Sequence, residues 1–160
     1  MEDKNLIQSK KVFDTLVSAM EELNLNFGKD EEKLTVHFSM DSNDLPVSHL
    51  FTIDSEMLIA RYFSPLPFNV PNENLPDVAL AVAITNGFLK DGCFDLDMTS
   101  GMIIFKLTTC FQDSMIGKGY FKHALMLAHV TVDQYNDKLQ QISEGKMSVE
   151  EYLRTVMDVK

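Results

Sequence analysis

The sequence predicts an α+β domain: a single antiparallel five-stranded sheet flanked by helices, in the order α-β-β-β-α-β-β-α, with a short C-terminal helix added. Three observations carry that reading. Residues 75–111 have the pattern of a buried helix, a glycine turn and a two-stranded hairpin. Before them, three segments between residues 33 and 63 have strand character and are joined by short turns, which favours antiparallel pairing. Helical periodicity brackets the whole, at residues 6–23 and 120–142.

Leu6 to Leu23 places Phe13, Leu16, Val17, Met20 and Leu23 at three- and four-residue spacing, with Lys10, Lys11, Asp14, Glu21 and Glu22 off the stripe. Asn24 to Glu32 is expected to be a turn-rich connection around Gly28-Lys29-Asp30. Lys33 to Met40 alternates: Leu34, Val36, Phe38 and Met40 on one side, Thr35, His37 and Ser39 on the other. Asp41-Ser-Asn-Asp44 with Pro46 is a loop. Val47 to Asp54 is the next strand, with Val47, Phe51 and Ile53 on one face. Met57 to Phe63 follows, apolar on both faces except for Arg61 and the tip of Tyr62, and Ser64-Pro65-Leu66-Pro67 is expected to end it.

Asn74-Leu75-Pro76-Asp77 opens the central helix, with Asn74 as N-cap, Pro76 in the first turn and Asp77 at the positive helix end. Val78 to Ile84 is apolar on every side, so burial on every side is expected. Lys90-Asp91-Gly92 closes the helix. Cys93 to Met98 alternates, and Met102 to Phe111 is rich in β-branched and aromatic residues. Folding this hairpin about Thr99-Ser100 pairs Phe94 with Phe105 and Leu96 with Ile103, which brings the two apolar faces together. The opposite face carries Met102, Ile104, Lys106, Thr108 and Cys110, and its first half is too apolar for a fully wet surface. After a polar linker, residues 112–119, the long helix carries Phe121, Leu125, Ala128, Val132, Tyr135, Leu139 and Ile142 on one stripe. Ser148-Val-Glu-Glu151 is a capping box that starts the final helix.

At 160 residues the chain is one domain, 1–160, large enough to bury a core. A net charge of −10 with only 14 scattered Lys and Arg argues against nucleic acid. No stretch is long and apolar enough for a membrane. The start, Met1 to Asn5, is charged and no apolar run follows, so no signal peptide is expected. Cys93 faces Lys106 in the hairpin register, which leaves Cys110 about 13 Å away, beyond disulfide reach. Free thiols and the missing leader point to the cytoplasm.

Catalytic and metal patterns do not hold together. The Asp95 to Gly101 stretch begins like a calcium loop, but Ser100 and Lys106 stand where Gly and Glu are needed. Gly117-Lys118-Gly119 lacks the upstream glycine and the following hydroxyl of a phosphate loop. His37, His49, His123 and His129 have no metal spacing, and each is expected to be solvated or partly buried. No nucleophile elbow is present, and paired carboxylates such as Glu21-Glu22 sit on solvated faces. The ten methionines, spread over the elements, suit either core filling or a pliable binding surface.

From residue 75 to residue 151 the chain resembles the YbjN family, within the type III secretion chaperone-like superfamily. The resemblance rests on Ile84-Thr-Asn86, on Gly92-Cys-Phe-Asp-Leu-Asp97 with Gly101-Met-Ile-Ile-Phe105, on Val132-Asp133-Gln-Tyr135 in the long helix, and on Ile142 to Glu151 at the close. It implies a five-stranded antiparallel sheet, a homodimer formed near the central helix and its neighbouring strand, and no enzymatic activity or cofactor. YbjN-like proteins are described as candidate regulators, and the secretion chaperones as binders of non-globular cargo segments. The extra C-terminal helix departs from the chaperones and favours the YbjN side.

The expected function is therefore a non-enzymatic protein-interaction module, chaperone-like or regulatory, acting as a homodimer. Residues expected to meet a partner or a second copy are Met102, Ile104, Thr108 and Cys93 on the sheet, and Val78 and Val82 on the central helix. An extended partner would add to a sheet edge or lie on that face. The alternative is a small-molecule-sensing domain with an apolar pocket between sheet and helices.

Overall fold

The computed structural model describes residues 4–158. Helix α1 (Lys4–Glu22) leads into strands β1 (Gly28–Asp30), β2 (Thr35–Met40), β3 (Val47–Asp54) and β4 (Ile59–Asn69). A short 3-10 turn (Asn72–Asn74) then opens α2 (Leu75–Phe88), followed by β5 (Cys93–Leu96), β6 (Met102–Cys110), α3 (Lys118–Ser143) and α4 (Val149–Asp158). The strands form one antiparallel sheet in the order β1-β2-β3-β4-β6-β5.

The sheet thus has six strands, not five. The added strand is β1, in the segment expected to be only a turn. Its three residues have no apolar alternation and form a strand because they pair with Thr35, Val36 and His37. The His37 ring lies over Gly28, in the space a Cβ there would take, and would have to swing aside for a larger residue. β4 also runs past the expected proline stop. The β3–β4 ladder ends at Leu50–Phe63, so Pro65 and Pro67 face no missing partner on that side. A register shift between Pro65 and Asn69 takes up the irregularity against β6.

Alternation along the strands sorts the side chains into two faces. One face buries Val36, Phe38, His49, Phe51, Ile53, Tyr62, Leu66, Ile103, Phe105, Leu107 and Phe94 against the helices. An aromatic row crosses it: Phe38 stacks on His49 at 4.9 Å, Tyr62 meets Phe105 at 6.3 Å, and Phe105 meets Phe94 at 5.2 Å. Phe121 and Tyr135 of α3 reach down to Phe51 and Phe94. The hairpin register is as the sequence predicts, Phe94 opposite Phe105 and Leu96 opposite Ile103, with Cys93 opposite Lys106.

The β1–β2, β3–β4 and β5–β6 connections share one turn design. An aspartate opens each: Asp30 Oδ1 accepts from the backbone N–H of Glu32 and Lys33, Asp54 Oδ1 from those of Glu56 and Met57, and Asp97 Oδ1 from that of Thr99. These bonds favour the charged Asp97 and Asp30 carboxylates and hold both below their ordinary pKa. Four residues on, each turn ends in the left-handed region, at Leu34 (φ 52°), Leu58 (φ 52°) and Gly101 (φ 73°). Both leucines are buried, and their carbonyls accept from Ile53 and Phe111. At Gly101 the backbone of Val70 leaves no room for a side chain.

Two expectations for α2 change. Asn74 does not cap the helix with its side chain; its Nδ2 donates to the Ser143 carbonyl at 2.8 Å, tying the start of α2 to the end of α3. Nor is α2 buried all round, because no element covers the side of Leu80, which is 54% exposed. The capping box at α4 forms: Ser148 Oγ accepts from the Glu151 N–H, and the Glu151 carboxylate accepts from the Ser148 N–H and hydroxyl. α4 then buries Tyr152 and Val156 beside α2, with the Tyr152 hydroxyl bonded to Thr85, whose own hydroxyl donates to the Ala81 carbonyl. No helix among the described residues is long and apolar enough to cross a membrane.

The buried Tyr152 ring is the anchor of α4. Tyr152→Ala is expected to lower stability by about 3–5 kcal/mol in urea denaturation. Tyr152→Phe keeps the ring and should cost only about 0.5–1.5 kcal/mol. Equal losses in the two variants would place the anchoring in the hydroxyl instead.

Candidate functional site

The helices all pack on one side of the sheet, and the other side faces solvent. Its side chains come from the alternate positions of the same strands. Cross-strand pairing lines up His37, Leu50, Phe63, Lys106 and Cys93 as one row from β2 to β5. The neighbouring row sets Pro65 beside Ile104 and Asp95. Leu50, Phe63, Pro65 and Ile104 therefore form an apolar patch in the middle of an uncovered face, each half-buried by its neighbours. Ile59 and Met102 extend it toward opposite ends of the central strands.

Charges frame the patch. Arg61 Nη2 lies 3.4 Å from Asp54 Oδ2 on one side, and Lys106 Nζ lies 2.7 Å from Asp95 Oδ2 on the other. The Asp95 carboxylate holds Lys106 above its ordinary pKa through that hydrogen bond. Thr35, Thr52 and Thr108 continue the face as a polar margin. Asp95 and Asp97, which begin like a calcium loop in sequence, serve an ion pair and a turn. Among the described residues no three His, Cys, Asp or Glu side chains converge as a metal would need.

The structure brings Met102, Ile104, Thr108 and Cys93 together on the open face. Thr108 is exposed and the other three are half-buried. Val78 and Val82 are elsewhere: both are buried in the core, at 0% and 7% exposure, and cannot meet a partner. The helix turns them inward because they share a stripe with Leu75, Ala81 and Thr85. The solvent side of α2 is Pro76, Leu80, Ala83 and Gly87. The sequence reading missed Leu50, Phe63 and Pro65. The signal was present, since residues 57–63 are apolar on both faces, but only the β4–β6 register joins them to Ile104.

His49 also departs from expectation. It lies on the inward face of β3, 1% exposed, on the same parity as Val47 and Phe51. Its Nδ1 is 2.6 Å from the Tyr62 hydroxyl, and its Nε2 is 3.4 Å from Nδ1 of the half-buried His129 on α3. Burial, with the neighbouring His129 adding to it, pushes the His49 pKa down to about 3. Burial likewise raises the Tyr62 phenol. The pair is a neutral polar bridge inside the core.

Apart from the open face, a cavity of about 460 Å³ opens between the α2–β5 connection, α3 and α4, lined by Phe88, Leu89, Leu127, Tyr135 and Val156 among others. It lies on the helix side of the molecule.

No family model matches the sequence, and no curated protein matches it significantly. Solved structures do match in shape. A chain of the HopA1–SchA chaperone–effector complex is similar with a TM-score of 0.57 at 14% identity, over 81% of this chain and 96% of that one. YbjN from E. coli, described as a candidate transcription regulator, is similar with a TM-score of 0.56 at 14% identity, over 79% of this chain and 92% of that one. The chain has the type III secretion chaperone-like fold. That fold is shared with YbjN and with the matched chain of the chaperone–effector complex, over about four-fifths of this chain.

The His49 environment sets an acid limit. The unfolded chain takes up a proton near pH 6.5, whereas folded His49 does so only near pH 3. Stability is thus complete above about pH 6.5 and falls on acidification, by up to about 1.4 kcal/mol per pH unit. Urea midpoints from pH 7 to 4.5 should trace this slope, and His49→Gln should flatten it whatever its effect at pH 7. An unchanged slope in the variant would assign the acid sensitivity to other groups.

Proposed function

We propose that the protein is a non-enzymatic protein-interaction module, chaperone-like or regulatory, that works in the cytoplasm as a homodimer. One observation carries the reading: a sheet face without helical cover presents Leu50, Phe63, Pro65 and Ile104 as a contiguous apolar patch ringed by ion pairs. An apolar centre with a polar rim suits a protein partner. The partner lies across the strands as an extended segment, with its apolar side chains on the patch. The similar structure of a chaperone–effector complex supports the choice of a protein as ligand.

The second copy docks on a different surface. Leu80 projects from the solvent side of α2 with Ala83 beside it, small enough for a close helix–helix approach. Two surfaces give two duties: the α2 stripe joins the protomers, and the open face takes the partner. The net charge of −10 favours a partner segment with basic residues flanking its apolar ones.

Substitution separates the two duties. Leu80→Asp is expected to halve the mass in sedimentation equilibrium while leaving the far-ultraviolet spectrum unchanged. Ile104→Asp and Phe63→Asp should stay dimeric and lose at least half of the protein's ability to hold a reductively unfolded model protein in solution. Dimers dissociated by Ile104→Asp, with Leu80→Asp silent, would move self-association to the sheet. A wild type without holding activity would remove the chaperone-like reading.

A further inference from the structure

β5 is an edge strand, and its backbone is closed from the side by a residue of α2. In the β5–β6 ladder, Asp97 N–H donates to the Met102 carbonyl, and pairing continues as Asp95–Ile104 and Cys93–Lys106. Odd-numbered residues therefore turn their N–H and C=O toward β6, and Phe94 and Leu96 turn theirs to the free edge. Phe94 is the centre of that edge. Its N–H donates to Asn86 Oδ1 at 2.8 Å, and its C=O accepts from Asn86 Nδ2 at 2.8 Å. One side-chain amide thus makes the same pair of bonds that a residue of a neighbouring strand would make. Just before the strand, the Gly92 N–H is taken by Asp91 Oδ1 at 2.8 Å. Within the strand, Cys93–Leu96, only Leu96 keeps its outward groups for an incoming chain.

We propose that Asn86 is a strand surrogate: it closes the β5 edge to strand addition, so that a partner or second copy must dock on side-chain surfaces rather than extend the sheet there. An incoming antiparallel strand gains affinity from paired bonds at successive outward residues. With Phe94 occupied, a single unsupported position is left. Opening the seal would strand the Asn86 amide and disturb the end of α2, because Asn86 lies within that helix. Edge strands are usually protected by charge, shortness or a bulge; here a neighbouring helix supplies the protection. The inference holds whether or not the open face takes a partner.

The test uses the full chain and begins with the wild type. Its Phe94 amide should exchange hydrogen as slowly as the laddered amides of Ile104 and Lys106; fast exchange would overturn the proposal outright. In Asn86→Ala the Phe94 amide is expected to exchange about tenfold faster or more. The same variant should assemble beyond the wild-type stoichiometry as concentration rises in sedimentation velocity. It should also bind a synthetic peptide of residues 91–98, which the wild type ignores. Val36→Ala, a core substitution on β2, four strands from that edge, should keep the wild-type stoichiometry. Association of Val36→Ala to the same degree would reduce the effect to general destabilisation and overturn the proposal. So would an Asn86→Ala protein that keeps its mass and takes no peptide, or a wild type that binds the peptide equally well.

Discussion

The pairing of β4 with β6 holds the molecule together. Residues 59–65 lie against residues 104–110, and this ladder joins the four-stranded N-terminal half of the sheet to the β5–β6 hairpin. On the helix side it sets Tyr62 opposite Leu107 and Ser64 opposite Phe105, so the aromatic row continues without a break. On the solvent side the same register sets Pro65 beside Ile104 and Phe63 beside Lys106, which creates the apolar patch and its charged margin. Core and candidate site are two faces of one ladder. A slip of one residue would exchange them.

The helices reinforce this arrangement from one side only. Gln8 of α1 donates to the carbonyls of Phe111 and Ser114, just past the end of β6. Glu22 at the far end of α1 meets Lys118 and Lys122 of α3, each at 2.6 Å, and those hydrogen bonds draw its carboxyl pKa down to about 2. α2 is fastened at both ends by asparagines, through Asn74 to α3 and Asn86 to β5. Among the described residues no helix packs on the other face of the sheet, and its apolar patch stays uncovered.

Much of this was legible in the sequence. The β5–β6 register followed from matching Phe94 and Leu96 with Phe105 and Ile103, since only that alignment turns all four to the core side. Met102, Ile104 and Thr108 then had to share the opposite face. Long-range pairing was not legible. Nothing local announces that Phe63 lies beside Lys106, so Leu50, Phe63 and Pro65 stayed outside the site. β1 escaped because backbone pairing with β2, not side-chain pattern, makes it a strand. α2 misled for a related reason: a helix apolar all round has no periodic signal to tell Val78, which is inside, from Leu80, which is outside. Asn86 stood out as part of the family resemblance, and its role rests on a strand eight residues away.

The left-handed leucines at the ends of two hairpin turns have a consequence for cooperativity. A non-glycine residue in that conformation costs about 1–2 kcal/mol. Burying a leucine side chain returns about 1.5–3 kcal/mol. The balance is favourable only while the side chain has a cover. For Leu34 that cover includes Phe13 and Lys10 of α1, which border the same cleft. The β1–β2 hairpin is therefore conditional on α1. Where α1 lifts, the turn loses its compensation, and the outermost strands loosen with it. Loosening α1 is thus expected to loosen the far edge of the sheet with it.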